Sequence, residues 1–364
     1  LDLVWMIGTY YYTYSTCSLL AGIALDKFGG KKSLFAGTFI LGLGALFFLM
    51  STQFAGISGR LLQGAGCAFA FPGCVYLASK GFSSKSLATA IGFTQCFGML
   101  GGASGQFLVG PWIDSGMDSN AFWLWAGVFT IITAFVLYFV IPKENSEPEI
   151  EKNSKKLGYF ETYKIVLKNP QSWLCGLVSG LLFAPTTIFA MTWAVAFFET
   201  DKQFTFHDAA ITSGMVAFGW VFGCPLLGFI TDKLGRRKPV LVCGAILMIL
   251  SLLQLAFLPE MFPAKLSMFI LGVGSGAAMI PYSIIKEANP DFVKGSSTGA
   301  INFITFGVTT LLSPVFSYYF GRSIGLSDAN SHFQNALFFW ISGIVLAIFI
   351  SLLLKETGKK SHEI

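Results

Sequence analysis

Apolar residues run along this chain in long blocks, and short charged clusters separate the blocks. About 20 consecutive apolar residues suffice for a helix to cross the hydrocarbon core of a bilayer. Eleven blocks reach that scale: Leu3–Leu25, Ser33–Met50, Phe54–Ala78, Leu87–Pro111, Ala121–Ile141, Ser172–Phe198, Ala209–Thr231, Pro239–Leu258, Ala264–Ile285, Ser296–Phe320 and Phe333–Leu354. The pattern predicts an all-α polytopic membrane protein. Pro142 to Pro170 interrupts it with charges of mixed sign between prolines. That stretch reads as a linker (142–170) between a first half of five spans (1–141) and a second of six (171–364). Within it, Leu157 to Leu167 reads as a short amphipathic helix lying on the inner membrane surface.

One charged cluster occurs twice. Gly22 to Lys32 reads GIALDKFGGKK, and Gly228 to Lys238 reads GFITDKLGRRK. Gly22/Gly228, Asp26/Asp232, Lys27/Lys233, Gly29/Gly235 and Lys32/Lys238 recur at one constant offset, with Arg236 inside the second copy. A repeat half a chain apart indicates two similar bundles. One span precedes the second hairpin within its half beyond those that precede the first, so a further N-terminal helix is expected in the intact pattern, giving six plus six.

Composition agrees with the pattern. The chain is 54% hydrophobic and 12% charged, against about 25% charged in soluble domains. Its net charge of +5 is topological. With alternate loops assigned to two sides, 20 Lys and Arg fall on one side and three on the other, with Arg60 inside a span. The rich side is expected to be cytoplasmic, with the C-terminus on it. That placement removes a nucleic-acid reading. The seven Cys lie within apolar runs without CxxC spacing, so neither a disulfide framework nor a metal site is expected. His207, His332 and His362 lie in loops or the tail, and no nucleophile–base constellation accompanies them. An enzyme is not expected, nor is a cofactor.

Two halves of six spans, each with a GxxxDKxGxxK loop, resemble the major facilitator superfamily. The family's loop pattern is close to GxLaDrxGrkxxl. A second family motif, RxxqGxgaa, is similar to Arg60, Gln63, Gly64, Gly66 and Ala68. The GxxxGPxxGG pattern of the drug–proton antiporters is departed from: Gly98 to Pro111 is glycine-rich without the central Gly-Pro pair. The resemblance implies a secondary transporter working by rocker-switch alternating access, with a small organic solute such as an amino acid or carboxylate. Proton-driven efflux of drugs or metabolites is the alternative, and a transport-inactive receptor or scaffold is the alternative of another class. A proton is the candidate coupling ion, a bacterial inner membrane the expected location, and a monomer in the bilayer the expected state.

Physical roles follow for particular residues. Gly29 and Gly235 free the backbone for a sharp turn. Asp26 and Asp232 can sit at the N-terminus of a neighbouring helix. By resemblance they are conformational latches, together with Gly22, Lys27, Lys32, Gly228, Lys233 and Arg236. Arg60 is costly inside a span and faces a partner or a cavity, so Arg60 and Gln63 are candidates for coupling or substrate contact. Tyr10, Tyr14, Gln95, Thr187, Trp193, Tyr282 and Asn302 are polar or aromatic groups within spans and are candidates for lining a cavity. Pro185 predicts a kink in the sixth span. The glycines at 98, 101, 102 and 105, and at 272, 274 and 276, predict faces of close helix approach.

Overall fold

The computed structural model describes residues 2–50, 52–105, 112, 116–142, 158, 160–257, 261–321 and 329–358. Every regular element among them is helical. Helix α1 is Asp2–Leu46, α2 Gln53–Gly81, α3 Leu87–Ser104, α4 Ser119–Val140 and α5 Glu161–Lys168. There follow α6 Pro170–Ala184, a π segment Pro185–Trp193, α7 Ala194–Thr200, α8 Phe206–Leu234 and α9 Lys238–Phe257. The last are α10 Ala264–Ser275, α11 Ile280–Glu287, α12 Lys294–Tyr319 and α13 Ala329–Leu352. Among the described residues, nine helices are long and apolar enough to cross a membrane. One of these, in α1, carries two predicted spans. The predicted span Leu87–Pro111 corresponds to α3, and its residues 106–111 lie outside the described ones.

The two repeated clusters differ locally. In the first, two helices meet at Gly29 (φ 77°, ψ 170°), the one non-helical residue inside α1. The loop predicted there is thus a turn made at a single glycine. In the second, α8 ends at Leu234 and Gly235 is left-handed (φ 64°, ψ 22°), its N–H donating to the Thr231 and Asp232 carbonyls. Left-handed backbone admits Asn, whereas the Gly29 region is essentially closed to any side chain. Gly29→Asn is therefore expected to cost about 1–3 kcal/mol and Gly235→Asn clearly less. Thermal unfolding of the two variants in one detergent checks the order.

Pro185 lacks an N–H and the predicted kink becomes a π segment, where the Thr192 hydroxyl donates to the Thr187 carbonyl at 2.8 Å. Thr205 caps α8 by accepting from the Asp208 N–H. The two predicted glycine faces fare differently. A Cβ on Gly272, Gly274 or Gly276 would strike backbone of a neighbouring helix, whereas Gly98, Gly101, Gly102 and Gly105 have nothing near them among the described residues.

The described residues cluster into two compact units. The first holds residues 1–81, 104–172 and 289–303; the second holds 82–103, 173–288 and 304–364. Each thus takes a short piece of helix from the other half of the sequence. In the first unit α1 packs along α2 through glycines. Gly44 meets Gly59, Gly37 meets Gly66, and Gly64 meets the Tyr10 carbonyl and Thr13. The motif glycines 64 and 66 thus form a packing seam. The second unit is built likewise, with Gly219 and Gly223 of α8 against Phe269, Gly272 and Val273 of α10.

Most of the predicted linker, residues 143–157 and 159, lies outside the described ones. Its helix is present as α5, but not as an element laid on lipid. Tyr163 and Val166 are buried in a cluster with Ile23, Val293 and Ala300, so protein covers the apolar face.

Candidate functional site

In the first unit the Asp26 carboxylate meets the first turn of α12. It accepts from the Gly295 N–H at 2.6 Å, the Ser296 N–H at 2.7 Å and the Ser296 hydroxyl at 2.6 Å. The opening turn of a helix has amide protons without intrahelical partners and a partial positive charge, which a carboxylate satisfies. Gly22, one turn before Asp26, makes the approach possible. A Cβ there would run into the Gly295 carbonyl and Ser296.

The second unit repeats the device. Asp232 accepts from the Thr89 N–H and hydroxyl, each at 2.7 Å, and from the Ala88 N–H at 3.4 Å, in the first turn of α3. Gly228 again stands one turn earlier, and a Cβ there would strike the Ala88 backbone. Each carboxylate therefore reaches a helix from the other half of the sequence.

The basic residues around the caps divide sharply. Lys32, Lys233 and Arg236 are exposed and Lys27 is half-buried. The residue that sequence reading passed over is Arg237. Its side chain is 1% exposed; it donates to Asp232 at 2.6 Å, to Glu287 at 2.6 Å and to the Ser84 carbonyl at 2.8 Å. The left-handed turn at Gly235 sends Arg236 to solvent and brings Arg237 back beneath the turn. Burial alone would lower the Arg237 pKa, but Glu287 and then Asp232 more than offset it and hold it above the ordinary value. Glu356, in the C-terminal tail, accepts from the Arg237 and Lys238 N–H groups at the start of α9. In the first copy Lys31 holds the place of Arg237, and its ammonium lies 4.8 Å over the Tyr138 ring. The available signal was Glu287, an acid standing at the same end of its span.

Arg60 lies over the Phe48 ring at 5.3 Å and donates to the buried Gln63 at 3.3 Å, while its buried Nε has no partner among the described residues. Three cavity candidates come together in the first unit. Tyr10 and Tyr14 stack at 5.8 Å, and the Asn302 amide donates to Ser18 at 2.8 Å and to the Tyr14 hydroxyl at 3.4 Å. Ser18 was not anticipated; it stands one turn after Tyr14 on the same face of α1. In the second unit Gln95 is half-buried, Tyr282 is 1% exposed and Thr187 donates to the Phe183 carbonyl. Trp193 packs on Gly321. A cavity of about 600 Å³ opens at the opposite end of this unit from Arg237, among Phe198, Lys202, Phe204, Asp208, Lys265 and Phe333. None of the candidates lines it.

The sequence model of the Major Facilitator Superfamily matches residues 2–306. The chain belongs to that superfamily. It is an integral membrane protein and a secondary transporter, not an enzyme. Among superfamily relatives, multidrug resistance protein 2 of Bacillus subtilis (strain 168) is 21% identical over 98% of this chain and 86% of its own length. Glucose transporter GlcP of Staphylococcus epidermidis is 29% identical over 60% of this chain and 50% of its own. The crystal structure of a double-tryptophan mutant of XylE superposes with a TM-score of 0.76 at 17% identity, covering 99% of this chain and 88% of that one. The last likeness establishes the superfamily fold.

Proposed function

We propose that this transporter moves a small organic solute by alternating access, and that Asp26 and Asp232 are its two conformational latches. The observation that carries the reading is the paired cap. Each Asp holds the first turn of a helix from the other half of the sequence by hydrogen bonds to its amides and hydroxyl. Such a contact is strong when made and reversible as a unit, which a cycle between two states requires. Lys27, Lys32, Lys233 and Arg236 then act as the positive surface around the latches, on the cytoplasmic side of a bacterial inner membrane, and the chain works as a monomer.

The solute we favour is neutral and rich in hydroxyls, a monosaccharide. Tyr14, Ser18 and Asn302 form a buried, uncharged cluster of hydroxyl and amide groups, and Tyr10 adds an aromatic face beside it. The likeness to a glucose transporter points the same way. A second reading, an amino acid or carboxylate, rests on Arg60, whose buried Nε has no partner among the described residues. Gln95, Thr187, Trp193 and Tyr282 remain candidates for the second half's share of the cavity. A proton is the proposed coupling ion.

Uptake of labelled glucose and labelled glutamate into proteoliposomes, with and without a protonophore, separates these readings. Glucose flux abolished by the protonophore is the expected result. Asn302→Ala is expected to raise the KM for glucose about tenfold, near the upper worth of one neutral hydrogen bond. Glutamate flux lost in Arg60→Ala would move the assignment to the carboxylate, and flux of neither would sink the solute reading.

A further inference from the structure

The linker helix α5 holds two residues against the first latch that a tether has no need of. The Tyr163 hydroxyl donates to the Leu19 carbonyl of α1 at 2.7 Å. Its tip sits between Gly22 of α1 and Gly299 of α12, and a Cβ on either glycine would collide with it. The neighbouring Thr162 is buried and hydrogen-bonded to the Ser296 hydroxyl at 2.8 Å. Ser296 has one hydroxyl proton, and the Asp26 carboxylate is its stronger acceptor. Thr162 therefore donates to Ser296, which donates to Asp26. Burial, with Asp26 adding to it, pushes the Tyr163 phenol well above its ordinary pKa, so it stays a neutral donor.

The helix thus grips both sides of one junction. Tyr163 is tied to α1 and Thr162 to α12, and Val166 packs with Ile23 of α1 and Ala300 of α12. If α12 leaves Asp26, α5 must release one side. At the second latch the corresponding closure is ionic, through Arg237, Asp232 and Glu287.

We propose that α5 is a working part of the first latch, with Tyr163 and Thr162 as positioning residues that hold the first turn of α12 onto Asp26. This rests on the latch reading of Asp26. The first latch thus carries a strap of neutral donors from α5, and the second carries the buried Arg237–Asp232–Glu287 network. Changes in the linker then act on one latch and leave the other.

Hydrogen exchange at the Gly295 and Ser296 amides reads the first latch directly, and the Thr89 amide reads the second. In the full chain, Tyr163→Ala and Thr162→Val are expected to speed exchange at Gly295 and Ser296 about tenfold, the loss of one to two net hydrogen bonds, and to leave Thr89 unchanged. Tyr163→Phe fills the slot but cannot donate, and should fall between wild type and Tyr163→Ala. Uptake of labelled glucose should lose kcat with KM held. If Asp26→Asn frees those amides while the α5 variants do not, the strap is overturned and the latch stands. If Asp26→Asn leaves uptake unchanged, the latch reading fails, whereas faster exchange in the α5 variants still upholds the grip of α5. Equal loosening at Thr89 would reduce the effect to general destabilisation and overturn the proposal.

Discussion

Arg237→Ala is expected to lower stability by about 3–5 kcal/mol, the cost of leaving buried charge without its partner. The guanidinium is the hub of the contacts around Asp232, the second proposed latch. It meets Asp232, Glu287 and the Ser84 carbonyl at once while almost wholly buried. Removing it leaves two carboxylates close together beneath the turn, and Asp232 keeps only its contacts to Ala88 and Thr89. Arg237→Lys is not a conservative change here. One ammonium on a flexible stem cannot match a planar fork directed at three acceptors. Glu287→Gln placed on Arg237→Ala should recover part of the loss, because one uncompensated charge is then gone. Thermal unfolding of the purified variants checks the series. A wild-type midpoint for Arg237→Ala would show that the network does not bear on stability. Arg236→Ala serves as the control and should melt as wild type, since that side chain is exposed.

At the first latch, Asp26→Ala should reduce transport more than Asp26→Asn. Alanine leaves the Gly295 and Ser296 N–H groups and the Ser296 hydroxyl without their acceptor, each unmet donor costing about 1–3 kcal/mol where water cannot replace it. Asparagine keeps one acceptor oxygen but loses the charge that the helix terminus favours, worth about 0.3–1 kcal/mol, up to about 2 when partly buried. The expected order of initial uptake rates is wild type, Asp26→Asn, Asp26→Ala, with a fall of at least about tenfold for alanine if 1.4 kcal/mol or more is lost from the latched state. Rates in the reverse order, or unchanged rates in both, would remove Asp26 from the cycle.

Much of this was legible in the chain because bilayers impose length and polarity on sequence. Apolar blocks, the charged repeat and the lysine asymmetry are direct consequences of burying helices in hydrocarbon. Gly22, Asp26, Gly228 and Asp232 could be picked out because a close approach and a helix cap each demand one residue type. Arg236 and Arg237 could not be told apart. They are adjacent and alike in charge, and only the left-handed backbone at Gly235 decides which is buried. Ser18 was missed for a related reason. A serine one turn from Tyr14 is ordinary in a span until Asn302 is brought beside it.

The sequence by itself determined the helical membrane architecture, the duplication and the positions of the two carboxylates, since hydropathy and repeat are one-dimensional properties. Tertiary structure decided what the carboxylates hold. Asp26 and Ser296 are 270 residues apart, and no local pattern pairs them. It also set the surroundings of the linker helix: amphipathicity predicts an apolar face on α5, but only the packed neighbours determine whether lipid or protein covers that face. Here Ile23, Val293 and Ala300 cover it, and the Tyr163 hydroxyl donates to the Leu19 carbonyl one turn before Gly22.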